Sequence, residues 1–234
     1  HPKGVMVAHQ SVEVFLDWIA ETFRIDEQDR FIHTSSLGFG GSIRQIFSTL
    51  LAGATIYPIS RTALKDPQAL YHFLEDHQIT LLNTVPSVVN NLLDWAATGT
   101  GDPHGQKKLS SLRYVLLGGE SLYAETVHRW HQLFGRHSTI VNLYGSTETI
   151  VNATLYAITP QTPVESGSIP IGYPKKGSLV RLINGQGRMC AVGETGEMYV
   201  GGPCLANGYY REKNLTEEKF VRLNLPEANG IFYR

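Results

Sequence analysis

A chain of 234 residues with 42% hydrophobic and 18% charged residues has room for one large domain or two small ones around a sizeable core. Its formal net charge of −1 leaves no global field to draw it to nucleic acid or an anionic membrane, and no apolar run reaches the length of a bilayer span, so neither is expected as a partner. The two cysteines, Cys190 and Cys204, lie far apart without metal-ligand spacing, a sparse usage that suits a reducing, cytoplasmic compartment.

The chain opens on His1-Pro2-Lys3-Gly4 and closes on Phe232-Tyr233-Arg234, which has the character of mid-strand. Both ends read as cuts through a longer protein. An amphipathic helix is expected over residues 11–23. From residue 31 to about 145, short apolar strands (31–36, 54–59, 80–85, 112–117, 139–143) alternate with helical spacing (42–51, 67–77, 87–97, 123–134). Pro67 and Pro86 suit first helical turns, and Asp66 is a plausible N-cap. Such alternation predicts an α/β fold with parallel strands and helices on both faces. Residues 98–108, rich in Gly, Asp and Lys, read as an exposed loop. Beyond Gly145 glycines and prolines become dense and apolar runs shorten (179–183, 197–200, 220–223, 231–233). The expected division is therefore an α/β part over 1–166 and a β-rich, distorted-barrel subdomain over 167–234.

Open parallel sheets bind ligands beyond the carboxyl ends of their strands. Two loops there carry suggestive residues. Gly118-Gly119-Glu120-Ser121 would let a flat ligand lie close to the backbone, or it is an ordinary strand-to-helix turn. Asn142-Leu143-Tyr144-Gly145-Ser146-Thr147-Glu148-Thr149 offers a ring for stacking, a sharp turn, three hydroxyls and an oxygen ligand for a hard cation such as Mg²⁺. The competing reading is a helix start, with Ser146 or Thr147 as cap and Glu148 in the first turn. No Ser-His-Asp set is legible, and the nine histidines are scattered.

Taken in order, these segments resemble the adenylation domains of nonribosomal peptide synthetases, in the superfamily of acyl-CoA synthetases and luciferases. His1-Pro2-Lys3-Gly4-Val5-Met6-Val7-Ala8-His9 is similar to the end of that family's phosphate loop. Residues 142–148 are similar to its N-x-Y-G-P-T-E motif, with Ser146 at the usual Pro. Residues 193–202, then 205–209, resemble G-E-L-x-I-x-G-x-G-L-A-R-G-Y, and Gly230-Ile231-Phe232-Tyr233-Arg234 stops short of its T-G-D. The resemblance implies the large N-terminal domain of the adenylate-forming fold, without the small C-terminal domain and its catalytic Lys. It implies ATP/AMP and Mg²⁺ as cofactors. The reaction implied turns a carboxylic acid into its acyl-AMP and loads it onto a carrier-protein phosphopantetheine thiol.

By the same resemblance Tyr144 stacks on adenine, Asn142 lies near its amino group, and Gly118, Gly119 and Glu120 form the other wall. Gly145 shapes the turn, Thr147 bonds the α-phosphate, Glu148 holds the metal, and Lys3 sits at the end of the phosphate loop. The segment 193–209 is expected to be mostly structural. Alternatives are a free-standing acyl-CoA or acyl-carrier-protein ligase, or an inert nucleotide-binding fragment, and the segment alone is expected not to turn over.

Phe39-Gly40-Gly41-Ser42-Ile43-Arg44 aligns with the family's F-D-x-S-x-W stretch, whose Asp pairs with the α-ammonium of an amino acid. Here that Asp is Gly40. Burying an ammonium without its carboxylate costs about 3–5 kcal/mol. The expected substrate is thus an acid without a free α-amine: an aryl, keto or hydroxy acid. Asn83, Leu116, Gly118, Leu143, Val151 and Asn152 are expected to line the pocket beside Gly41 and Arg44. Arg44 either meets an acceptor on the substrate or points to solvent from a helix.

Overall fold

The computed structural model describes residues 3–99, 109–225 and 228–234. His1, Pro2 and most of the expected loop over 98–108 lie outside them. In chain order the helices are α1 (His9–Phe23), α2 (Gly41–Ile43), α3 (Thr49–Leu51), α4 (Arg61–Lys65), α5 (Pro67–Asp76), α6 (Pro86–Ala97), α7 (Ala124–Phe134) and α8 (Lys213–Lys219). A π-helical turn, Arg44–Ser48, joins α2 to α3. The strands are β1 (Arg30–His33), β2 (Thr55–Pro58), β3 (Leu81–Thr84), β4 (Tyr114–Gly118), β5 (Thr139–Tyr144), β6 (Thr154–Ile158), β7 (Tyr173–Pro174), β8 (Leu179–Ile183), β9 (Glu197–Gly201), β10 (Phe220–Leu225) and β11 (Ala228–Tyr233). Among the described residues no helix is long and apolar enough to cross a membrane.

The chain forms two compact units. The first takes in Ile19–Leu143 and Leu155–Gly172; the second takes in the chain up to Trp18, Tyr144–Thr154 and Tyr173–Arg234. This grouping does not follow a single break near residue 167. Backbone hydrogen bonds of long sequence separation account for it: Met6 N–H donates to Gly208 O at 2.9 Å, Tyr210 N–H to Gly4 O at 2.7 Å and Ala206 N–H to Glu148 O at 2.8 Å. They draw the start of the chain and the loop after β5 into the β-rich unit.

In the first unit the strands run in the order β2-β1-β3-β4-β5-β6, with β1 to β5 parallel to one another. This is the α/β architecture expected from the alternation. Side chains alternate across a strand. Leu82, Val115, Leu117 and Ile140 enter the main core with Leu74, Val89, Leu92, Val127 and Trp130 of α5, α6 and α7. Asn83, Leu116, Gly118 and Leu143 have the opposite parity in the paired register, so they share the other face of the sheet. The expected helix starts are borne out where a cap was legible: Asp66 Oδ1 accepts from Gln68 N–H at 3.0 Å and Ala69 N–H at 3.1 Å, with Pro67 in the first turn. β1 stops at His33, short of residue 36, because the N–H groups of Thr34 and Ser35 donate to the Gln45 side chain, at 3.1 and 3.0 Å.

The second unit carries an antiparallel sheet of order β10-β11-β9-β8. Ile183, Tyr199, Ala228 and Phe232 form its core. An antiparallel bridge between Val5 and Tyr209 lays residues near the chain start along residues 207–210. The same unit buries Lys175, 2% exposed, whose Nζ makes no hydrogen bond. Its ammonium sits 5.4 Å from the Phe15 ring centre and 5.6 Å from that of Trp18, with the Cys204 thiol as its other neighbour. Burial lowers its pKa, and Cys204 only partly opposes this. Aromatic faces return part of the desolvation cost of a cation but not all of it.

A lysine with a depressed folded pKa binds fewer protons folded than unfolded, so stability rises with pH between that pKa and the unfolded value of about 10.4. Lys175→Met keeps the length and removes the charge. It is expected to raise stability by about 1–3 kcal/mol at neutral pH, a gain that shrinks as pH approaches 10. Thermal denaturation across pH measures both.

Candidate functional site

In the second unit the chemistry centres on Glu148. Its side chain is buried, at 6% exposure, in the 3₁₀ turn Thr147–Thr149 that follows β5. The Tyr209 hydroxyl donates to Oε1 at 2.6 Å, and Lys3 Nζ stands 3.7 Å from the same oxygen. Lys3 also lies 5.1 Å above the Tyr209 ring. Burial pushes the carboxyl up, but hydrogen bonding, led by Tyr209, and the Lys3 charge outweigh it, and its pKa is lowered. Burial and the Glu148 carboxylate raise the pKa of Tyr209, so it stays a donor. Lys3 reaches this place because residues 4–6 pair with 207–210. Tyr209 belongs to the segment expected to be mostly structural. The one signal for it was a hydroxyl-bearing ring at the end of a glycine-rich run.

The loop that presents Glu148 is closed by Ala153 N–H donating to Tyr144 O at 2.8 Å. A side chain at Gly145 would place Cβ 2.5 Å from Val151 O and 2.6 Å from Asn152 Cα, so only glycine fits. Ser146 N–H donates to Thr149 Oγ1 at 3.0 Å, a bond that a proline there could not make. Ser146 is the N-cap of the turn and Glu148 lies in it, so the helix-start and ligand readings describe the same residues. Ile150 and Val151 both take positive φ, +50° and +67°. That conformation is strained for β-branched residues, and the loop closure holds them in it. Tyr144, 43% exposed, and Thr147 are open to solvent beside the buried carboxylate. Asn152 is buried.

The first unit holds a separate polar cluster. Arg44 is 5% exposed, and its Nη2 donates to Asn83 Oδ1 at 2.6 Å. The alternative that Arg44 points to solvent is therefore overturned: the helix turns its guanidinium into the protein. Burial pulls its pKa down to about 10, which leaves it charged at neutral pH. Asn83 Nδ2 donates to Leu116 O at 2.9 Å, and Gln45 Nε2 donates to Asn83 Oδ1 at 2.9 Å. Leu116 and Leu143 are buried, Gly41 is partly buried, and Phe39 is exposed at the head of the helix with Gly40 as its N-cap. Gln45 was not singled out from sequence; a polar residue inside an apolar helical repeat was its only signal.

Gly118, Gly119 and Glu120 follow β4, with Gly119 at φ +85°. A side chain at Gly118 would meet Leu143 O at 2.8 Å, so glycine keeps β4 and β5 in register there. The Glu120 carboxylate accepts from Ser87 N–H and Oγ, both at 2.9 Å, and so caps α6, whose own N-cap Val85 has no acceptor. Asn142 is buried, and its Nδ2 donates to Pro170 O at 3.0 Å and Ile169 O at 3.3 Å.

Among the described residues no group of three or more His, Cys, Asp or Glu side chains could cage a metal. Glu148 offers a single ionised carboxylate. That suits Mg²⁺, which keeps waters and takes one or two carboxylates together with substrate phosphates.

A family profile described as "AMP-binding enzyme" matches residues 1–210. Zwittermicin A synthase ZmaJ of Bacillus cereus is 30% identical over 226 residues, 96% of this chain and 42% of that protein. Tyrocidine synthase 1 of Brevibacillus parabrevis is 29% identical over 94% of this chain and 19% of its own length. Among solved structures, the Vibrio cholerae adenylation domain AlmE in complex with glycyl-adenosine-5'-phosphate superposes with a TM-score of 0.82 at 27% identity, covering 100% of this chain and 42% of that one. The nonribosomal peptide synthetase FmoA3 gives 0.86 at 26% identity over 99% of this chain and 24% of its own. The chain thus spans less than half the length of these relatives.

Tyr209→Phe keeps the ring and removes the hydroxyl that donates to Glu148 and also meets Tyr233. A hydrogen bond to a charged group contributes about 1.5–3 kcal/mol, so the variant should lose that much stability at pH 7. A carboxylate with a lowered folded pKa stabilises above its unfolded value of about 4.3, and this is lost as pH falls through the folded pKa. The gap between the two proteins should therefore narrow in acid. Chemical denaturation at pH 7 and below pH 4 checks it.

Proposed function

The chain belongs to the AMP-binding enzyme family, and on that premise we propose that its parent protein activates a carboxylic acid with ATP, as a nonribosomal peptide synthetase adenylation domain does. A carboxylate oxygen of the substrate attacks the α-phosphorus of ATP, the bond to the bridging oxygen breaks, and pyrophosphate leaves with both its electrons. A carrier-protein phosphopantetheine thiol then takes the acyl group and AMP departs. The observation that carries this reading is the buried, ionised Glu148, held by Tyr209 and Lys3 beside the exposed Thr147 and Tyr144.

The residues take the following parts. The exposed ring of Tyr144 offers a face to adenine. The Thr147 hydroxyl donates to the α-phosphate. Glu148 would hold Mg²⁺, which would supply charge neutralisation for the α-phosphate and the departing pyrophosphate. Tyr209 does most to keep Glu148 ionised; Lys3 adds to this and brings positive charge near the phosphates. Asn142 and the turn Gly118-Gly119-Glu120 are the first unit's nucleotide contacts. No protein nucleophile is needed, because this displacement relies on positioning and electrostatics.

The acid is one without a free α-ammonium. Gly40 presents no side chain at all where the family's carboxylate stands, and its neighbour Gly41 has none either. On the same reading Asn83, Leu116, Gly118 and Leu143, which share one sheet face, receive the acyl group together with Phe39 and Arg44 of the same unit. Arg44, bonded to Asn83, brings a positive charge to this face, which favours an acid carrying an acceptor or a second anionic group.

Pyrophosphate exchange by the full-length enzyme tests these roles. Glu148→Gln keeps an acceptor for Tyr209 but loses the charge, and should lower exchange about 10²–10³-fold with its fold retained. Tyr144→Ala should weaken ATP by about 1–3 kcal/mol, read as a raised KM for ATP. Full exchange by Glu148→Gln with ordinary Mg²⁺ dependence sinks the metal role.

Offered α-amino acids beside their deaminated keto, hydroxy and aryl counterparts, the wild-type enzyme should prefer the latter by about two decades or more, since an unpaired ammonium costs about 3–5 kcal/mol. A clear preference for a standard L-α-amino acid would overturn the substrate class and leave adenylation standing.

A further inference from the structure

Gln45 is wholly buried, and every polar atom of its side chain is engaged. Its Oε1 accepts from Thr34 N–H at 3.1 Å and Ser35 N–H at 3.0 Å. Its Nε2 donates to Thr34 Oγ1 at 3.0 Å, to Asn83 Oδ1 at 2.9 Å and to Asn83 O at 3.3 Å. Backbone N–H groups only donate, so the atom they meet must be the amide oxygen, and the NH₂ must face Asn83. That in turn fixes which end of the Asn83 amide faces Gln45: the oxygen, with Nδ2 directed to Leu116 O at 2.9 Å. The same Asn83 oxygen accepts from Arg44 Nη2 at 2.6 Å.

The order of bonds is therefore a relay. Two immobile backbone donors at the end of β1 set Gln45, Gln45 sets Asn83, and Asn83 sets the guanidinium of Arg44. The local backbone supports it. Arg44 and Gln45 open the π-helical turn, and the Ser48 and Thr49 hydroxyls back-bond to their carbonyls, Thr49 Oγ1 to Gln45 O at 2.5 Å.

We propose that Gln45 is a positioning residue for acid selection, acting on the substrate through Asn83 and Arg44 without reaching it. This rests on the adenylation reading, in which Asn83 and Arg44 receive the acyl group. The chemistry of the residue at 45 then matters more than its size. A glutamate there still accepts the Thr34 and Ser35 bonds but has no donor for Asn83. Either two oxygens oppose each other between 45 and 83, or Asn83 flips and two oppose each other between 83 and 116. In the first case the carboxylate competes with Asn83 for Arg44; in the second Asn83 turns its NH₂ to the guanidinium, which loses its acceptor there.

The test uses the full-length enzyme and a panel of acids that differ in one polar group distal to the carboxyl. Gln45→Glu should re-rank the panel by at least about tenfold in relative kcat/KM, a shift of about 1.4 kcal/mol. The change should fall in KM for the acid, with KM for ATP unchanged. Gln45→Met, which keeps the volume but neither polar end, should flatten the ranking. If Gln45→Met fails to fold, Gln45→Glu decides alone, because it keeps both backbone bonds. A folded Gln45→Glu that retains the wild-type ranking overturns the relay. So does a loss of kcat equal for all acids, the mark of a merely structural role. A wild-type enzyme that exchanges pyrophosphate with no acid overturns the adenylation reading and this role with it, and is seen before any variant is made.

Discussion

A carboxylate can be buried only where other groups replace its water, and the second unit is arranged around meeting that demand at Glu148. The replacement groups are far away in sequence. Tyr209 is 61 residues downstream, and Lys3 belongs to the chain's first turn of sequence. Neither could be brought to Glu148 by local structure. The pairing of residues 4–6 with 207–210 does it, through backbone bonds at 2.7 to 2.9 Å. The same contacts hold the loop of residues 144–153, since Ala206 N–H bonds the Glu148 carbonyl while Tyr209 bonds its side chain. Backbone and side chain of one residue are thus fixed by one segment. A rigid, charged group obtained in this way costs no reorganisation when a ligand's charge arrives.

The two polar clusters differ in how their burial is balanced. Glu148 is stabilised by a strong donor and a cation, so its ionised form is favoured and available. Arg44 donates to a neutral amide, that of Asn83, and burial pulls its pKa toward 10 without removing the charge. Lys175 has only ring faces and a thiol, and is the least compensated of the three. Two of these groups serve the proposed chemistry. For Lys175 no such role follows from its surroundings, and its burial stands as a cost to folding.

Much of the fold was legible because it is written in local signals. Alternating apolar runs gave β1 to β5, and Asp66 with Pro67 gave the start of α5. The short elements α4, β6, β7 and α8 carry no comparable periodicity, being polar or only a few residues long. The division into units was illegible for another reason: it depends on which distant backbone groups pair, and pattern along a chain does not encode partners. The site divides the same way. Tyr144, Gly145, Thr147 and Glu148 are contiguous, and each residue type announces a capacity. Tyr209 and Gln45 announce nothing by type; they matter through the groups they touch. Glu120 shows the converse. Its place after β4 suggests a ligand contact, and its carboxylate has a second duty that the type does not announce: it caps α6 through Ser87, a partner 33 residues away.

Gly40 and Arg44 have to be considered together with the network between them. Removing an acid and adding a cation reverses the local charge, so on the proposed reading an ammonium is disfavoured twice, by a missing partner and by repulsion. Selection against a ligand by such means is as effective as selection for one. It works only if the cation cannot swing away. A long guanidinium side chain has several rotamers to choose from, and a pocket that left it free would accommodate an amine by letting it retreat. Asn83 and Gln45 remove that freedom, and they do so from the two N–H groups at which β1 gives up strand pairing. The early end of that strand, a departure from the expected pattern, is therefore the structural origin of the rigidity on which the proposed selectivity depends.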